Sequence, residues 1–153
     1  MSTEYPIDGP PLRTHRWRHL TGDEDLPDDR YTGHVNNARY FHFINRCLRG
    51  WYTAMGLRDP SSRYGAMMVR SEYDFLHEVR PPSWIECEIE VVRLGRSSIE
   101  HAVRMFDLGP EAALEGRQVG RGRVIHACFD RIARQTIEWP AELAALCWVR
   151  TEG

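Results

Sequence analysis

The feature that most constrains this chain is one continuous stretch, residues 31–56, reading YTGHVNNARYFHFINRCLRGWYTAMG. From Asn37 onward Phe41, Ile44, Leu48, Trp51 and Met55 recur at alternating spacings of three and four, which lays one apolar stripe along a helix. Tyr40, Phe43, Cys47 and Ala54 widen that stripe. So broad an apolar face needs a cover larger than a second helix, and a curved sheet supplies one. Gly33 gives a turn ahead of the helix and Gly56 a C-cap behind it.

Most of the remaining chain reads as strands. Residues 12–20 (LRTHRWRHL) form a first strand, and the acidic, turn-rich TGDEDLPDDRYTG is a loop into the helix. His15, Trp17 and His19 share a strand face with no carboxylate or cysteine at ligand spacing, so no metal site is expected there. After the helix, RDPSSRYG is a second loop. Residues 66–79 carry Met67, Val69, Tyr73 and Phe75 on one alternation until PPS breaks it. Glu72 and Asp74 on the other alternation read as solvated.

Residues 84–94 put Ile85, Cys87, Ile89 and Val91 on one face and Glu86, Glu88 and Glu90 on the other, the mark of a half-buried antiparallel strand. Residues 94–98 (LGRSS) turn into a strand over 99–108, where Ile99, His101, Val103 and Met105 share a face. A last strand is expected over 118–132, with Val119, Ile125, Ala127 and Phe129 alternating with Val124 and Cys128, and a short helix over 141–147 follows Pro140. The order is strand, long helix, then four strands, an α+β layout in which an antiparallel sheet of about five strands curls around one helix. We expect one domain over residues 1–153, with 1–11 a flexible segment. Such a sheet has two open edges, and pairing of edges between two copies would close one of them.

Composition removes some functions. At 153 residues with a net charge of −2, the chain can bury a core and has no electrostatic case for a nucleic-acid or membrane partner. All 20 basic residues are arginine, a choice that suits phosphate binding and equally reflects genome composition. The polar, proline-rich start has no apolar signal core, so a cytoplasmic protein is expected. Cys47, Cys87, Cys128 and Cys147 lie far apart without a CxxC and read as reduced thiols. No metal and no other cofactor is expected.

The block GHVNNARY after an acid-containing loop, then a long helix, then Y-D-F-L-x-x-V and a G-R-S-S turn, resembles the hot-dog fold acyl thioesterases of the 4-hydroxybenzoyl-CoA and acyl-ACP thioesterase kind, over about residues 13–143. The resemblance implies a homodimer or homotetramer, an acyl group carried on CoA or acyl carrier protein, and hydrolysis of its thioester. It also implies that the backbone N–H of Asn37 meets the thioester oxygen. The chemistry of the stretch agrees in kind. Amides at a helix N-terminus, here Val35, Asn36 or Asn37, can polarise a carbonyl and hold its oxyanion, and Gly33 lets a ligand approach the main chain.

The chain departs from these relatives at one place. They read D-x-D-x-x-G-H, with the working aspartate three residues before the glycine, where this chain has Arg30. Three readings stay open. A one-residue bulge brings Asp29 to the catalytic place; or His34 is the base, oriented by Asn36 or Tyr31, since an imidazole titrates near neutrality; or Arg30 holds substrate and the chain is a non-catalytic acyl-binding module. Plain alternatives stand beside them: Asp28 and Asp29 as turn residues, His34 as a tie between loop and helix, Asn36 and Asn37 as caps. Asp29 and His34 also have the spacing of a hot-dog hydratase pair, although the GHVNN context assigns them to thioesterases. Tyr40 and Phe43 are candidates for an acyl pocket. By the same resemblance the turn of Arg96, Ser97 and Ser98 is a candidate for holding pantetheine or its phosphates, with Arg121 and Arg123 weaker.

Overall fold

A computed structural model describes residues 13–27, 32–56 and 61–141 of the chain. The elements follow the expected order: β1 (Thr14–Leu20), a single 3-10 turn at Asp23–Asp25, α1 (Asn37–Ala54), β2 (Tyr64–Phe75), β3 (Trp84–Leu94), β4 (Ser98–Gly109), β5 (Arg117–Asp130) and a two-residue β6 (Gln135–Thr136). The sheet is antiparallel throughout, ordered β1-β3-β4-β5-β2, with β6 paired to the far end of β5. β6 was not foreseen, because two exposed residues carry no periodicity. The segments assigned to residues 1–11 and, beyond Ala141, to the helix over 141–147 lie outside the described residues.

α1 lies along one face of this sheet. Tyr40, Phe43, Ile44, Cys47, Leu48, Trp51 and Tyr52 are buried, against Ile85, Cys87, Ile89 and Val91 of β3 and Ile99, Val103 and Met105 of β4. Each large side chain enclosed this way contributes about 1.5–3 kcal/mol. Asn36 opens the helix, its Oδ1 accepting from Ala38 N at 3.0 Å, and Gly56 closes it in the left-handed region at φ 74°. Near its C-terminal end Gly50 allows β1 to come close: an added Cβ would stand 2.5 Å from His15 Nε2. Cys47, Cys87 and Cys128 are buried free thiols. Among the described residues no helix is long and apolar enough to cross a membrane.

Two stretches depart from expectation. Phe41 and Ala54, assigned to the apolar stripe, are exposed, while Tyr52 takes a buried place. The helix is therefore rotated slightly from the spacing-based stripe, and Phe41 leans toward Tyr73 instead, ring centroids 6.2 Å apart. The second departure is β2, which ends at Phe75 rather than Val79, because the Leu76 and His77 amides both turn to Val119 O at 2.9 and 3.1 Å. Its apolar alternation is also largely uncovered, with Met67, Val69 and Phe75 at 46%, 57% and 45% exposure. β2 is an edge strand, and its register slips between Met68 and Arg70, so Val69 bulges out and the alternation changes side.

Candidate active site

The turn at Gly33 and the first residues of α1 are held from two directions. Val35 N–H donates to Val79 O at 2.8 Å, and Asn36 N–H donates to Asp25 O at 2.7 Å. Two of the three amides considered for a ligand oxygen are thus committed to the fold. Asn37 N–H meets no acceptor among the described residues. Gly33 has φ 65°, a left-handed conformation that glycine adopts without strain, and Arg80 Nη1 lies 3.5 Å from where its Cβ would be.

His34 is half-buried next to these amides, its Nδ1 3.0 Å from Val35 O. A carbonyl only accepts, so Nδ1 carries the hydrogen, and the neutral ring keeps its lone pair on Nε2. That is the arrangement a general base needs: one nitrogen oriented by the protein, the other open. Asp29, Arg30 and Tyr31 lie outside the described residues.

Tyr40 and Phe43 meet edge-on, ring centroids 5.9 Å apart, and reach toward different strands. Tyr40 is buried toward β2, stacked on Tyr73 at 5.5 Å and edge-on to Phe75 at 5.5 Å. Phe43 is fully buried toward β1, 5.8 Å from Trp17 and 5.1 Å from His19, so it packs the core beneath the first strand. Burial first, and then the nearby Asp107 charge, push the Tyr40 phenol up to about 12.

Arg96, Ser97 and Ser98 lie at the other end of the molecule. They form the β3–β4 turn, closed by Gly95 N to Ser98 O at 2.8 Å, whereas the helix N-terminus lies at the start of β3, where Thr21 N bonds Ser83 O. The 11 residues of β3 separate the two, roughly 33 Å at about 3.3 Å per residue. Arg96 is exposed and bonds Glu138, Nε to Oε1 3.0 Å. Arg121 and Arg123 lie on the sheet face turned away from α1, because Tyr73 and Phe75 point to the helix and their cross-strand acids alternate with them. There Arg123 pairs with Glu72 and Glu100 at 3.0 Å each and Arg121 with Asp74 at 3.4 Å.

One residue escaped the sequence reading. Asp25, within what reads as an acidic, turn-rich loop, is fully buried: it accepts from His19 Nε2 at 2.9 Å, Gly22 N at 3.0 Å and Arg39 Nε at 2.9 Å. Burial alone would raise its carboxyl, but the bonds from His19, the Gly22 amide and Arg39 bring it below the ordinary value. No local signal separates Asp25 from Asp23 or Glu24. The expectation that no carboxylate accompanies His19 is corrected here: His19, Glu24 and Asp25 bring ligand atoms within 4.8 Å of one another. Arg39 already supplies the positive charge at that acid, 2.8 Å from Oδ1.

A helix cradled in a curled antiparallel sheet, with unspent amide and imidazole nitrogens at its front, is the hot-dog fold. The chain is similar in structure to a mutant of 4-hydroxybenzoyl-CoA thioesterase complexed with 4-hydroxybenzoyl-CoA (17% identity, 88% of this chain and 99% of the other, TM-score 0.75). It is similar also to a 1,4-dihydroxy-2-naphthoyl-CoA thioesterase from Synechocystis (12%, 89% and 97%, TM-score 0.72) and to a protein of Pseudomonas aeruginosa strain PAO1 (26%, 88% and 90%, TM-score 0.73). No curated protein sequence matches it. The family model of the thioesterase-like superfamily matches residues 19–146, and the chain belongs to that superfamily.

Proposed function

We propose that this protein hydrolyses an acyl thioester carried on CoA or on acyl carrier protein. The observation that carries the reading is the division of labour among the amides at the front of α1: Val35 and Asn36 are committed, and Asn37 N–H is left to receive the thioester oxygen and the oxyanion that follows. His34 stands next to it with Nε2 available to take a proton from water, and Asp29 in the preceding loop is the rival base. Water attacks the thioester carbon, the tetrahedral oxyanion rests on Asn37 N–H, and collapse expels the thiolate, which takes up the proton. CoA is the first carrier to test, since two of the similar structures are of aryl-CoA thioesterases.

The site is proposed to be shared between two copies. β2 is a 12-residue edge strand with Met67, Met68, Val69, Phe75 and Leu76 exposed along it and beside its end. Two such edges pairing about a twofold axis run antiparallel, which brings the partner's turn of Arg96, Ser97 and Ser98 to the end that holds Asn37 and His34. This arrangement supports a phosphate- or pantetheine-binding role for that turn, which a single chain would not.

The test is hydrolysis of an acyl-CoA panel followed by detection of free thiol, with His34→Ala and Asp29→Asn made singly. Loss of at least about tenfold in kcat/KM on one substitution identifies the base. Tight binding of acyl-CoA without release of thiol by the wild type would instead mark a binding module, in keeping with Arg30 at the usual acid position.

A further inference from the structure

The hydroxyl of Tyr73 is buried and has no hydrogen-bond partner among the described residues. Its ring lies one aromatic layer from the helix front: stacked on Tyr40 at 5.5 Å with 25° between planes, and flanked edge-on by Phe75 at 4.7 Å. Tyr40 is itself three residues beyond Asn37, about 4.5 Å along the axis at ~1.5 Å per residue. β5 makes room for the hydroxyl instead of pairing it, since a Cβ on Gly120 would stand 1.7 Å from Tyr73 Oη.

A hydroxyl enclosed without a partner costs about 1–3 kcal/mol, and phenylalanine would fill the same space without that cost. A partner that arrives from outside the fold is one physical reason to keep such a group. Burial first, and the neighbouring Tyr40 second, raise the Tyr73 phenol well above the ordinary tyrosine range, so it stays a neutral donor and acceptor.

We infer that Tyr73 is the acyl-selectivity residue, its hydroxyl hydrogen-bonding an oxygen of the acyl group whose thioester carbonyl lies against Asn37. The enzyme therefore favours acyl groups bearing a hydroxyl or keto oxygen over the same groups without it, because a site built around a polar group penalises the substrate that leaves it unpaired. This rests on the thioester-hydrolase reading.

The experiment compares kcat/KM for matched pairs, 4-hydroxybenzoyl-CoA with benzoyl-CoA and a hydroxyacyl-CoA with the acyl-CoA of equal length, for wild type and Tyr73→Phe. Wild type is expected to favour the oxygenated member of at least one pair by roughly tenfold or more, and Tyr73→Phe to bring that ratio to within about threefold of unity. A melting temperature for Tyr73→Phe equal to or above that of wild type separates lost selectivity from a damaged fold. Equal use of both members by wild type, or a ratio that survives the substitution, overturns the inference and leaves the hydrolase reading in place. A wild type that cleaves none of these thioesters, whether carried on CoA or on acyl carrier protein, overturns both.

Discussion

Arg39 Nε donates to Asp25 Oδ1 across 2.9 Å, joining the first turn of α1 to a carboxylate that has no exposed surface. The same aspartate accepts Asn36 N–H on its carbonyl, so one residue fixes both the loop and the amide next to the proposed oxyanion donor. Asp25→Asn keeps the shape and removes the charge that His19 and Arg39 answer. Since Arg39 is partly exposed, we expect a loss of about 2 kcal/mol, below what breaking a wholly buried pair costs. Urea unfolding at neutral pH measures it, and a change under about 0.5 kcal/mol would mean the bonds are replaced by water at no cost.

Asn37 is the first residue of α1, the one interior position at which proline is welcome, and Asn36 before it, at φ −60° and ψ 133°, already has the conformation a proline requires of its predecessor. Asn37→Pro therefore deletes the amide hydrogen while keeping the helix. With Asn37→Ala as control for the side chain, kcat on the best acyl-CoA should fall on the order of a hundredfold with the circular dichroism unchanged. Activity equal to the alanine control would remove this N–H from the mechanism.

Two histidines are buried under the C-terminal half of α1. His101 has no exposed surface and neither ring nitrogen has a partner among the described residues; it meets Trp51 edge-on at 4.4 Å, with His126 6.5 Å away. Burial lowers His101 to about 3, helped by His126, and lowers His126 to about 4, from 6.5. The unfolded chain thus takes up protons that the folded chain refuses, and stability falls as pH drops below 6.5, continuing toward the folded values. Each histidine contributes a slope of about 1.4 kcal/mol per pH unit. Denaturant unfolding between about pH 6 and 5, above the range where carboxylates add their own effect, should show this slope, and His101→Leu should remove one histidine's share.

Gly122 is paired with Tyr73 across the edge of the sheet, and a Cβ there would stand 2.1 Å from the backbone oxygen of Glu72. Backbone cannot swing aside as a side-chain tip can. Gly122→Ala should cost about 2 kcal/mol and loosen β2, read as earlier thermal unfolding and faster amide exchange along residues 70–75. An unchanged melting temperature would mean that β2 moves away at little cost.

The periodic parts of the fold were legible. The bounds of β3 and the start of α1 agree with the spacing of Ile85, Cys87, Ile89 and Val91 and of Ile44, Leu48 and Trp51, because a regular backbone turns local spacing directly into a face. The alternation of Met67, Val69 and Phe75 misled, since it looks the same at a sheet edge as at its centre and says nothing of the bulge at Val69. Asp25 was invisible among its acidic neighbours for a related reason: its burial comes from His19 and Arg39, six and fourteen residues away.

By itself the sequence determined that a glycine turn leads into a long apolar-striped helix, that alternating strands follow, and that the turn carries histidine and asparagine, all consequences of order along the chain. Only the tertiary structure decided which amides at the helix front stay available, that the Arg96 turn lies at the opposite end from His34, and that Tyr73 hides an unpaired hydroxyl over Gly120. The physical reason is that hydrogen-bond donors are claimed, and side chains enclosed, by residues distant in sequence, and no local pattern encodes which of several identical groups those residues will reach.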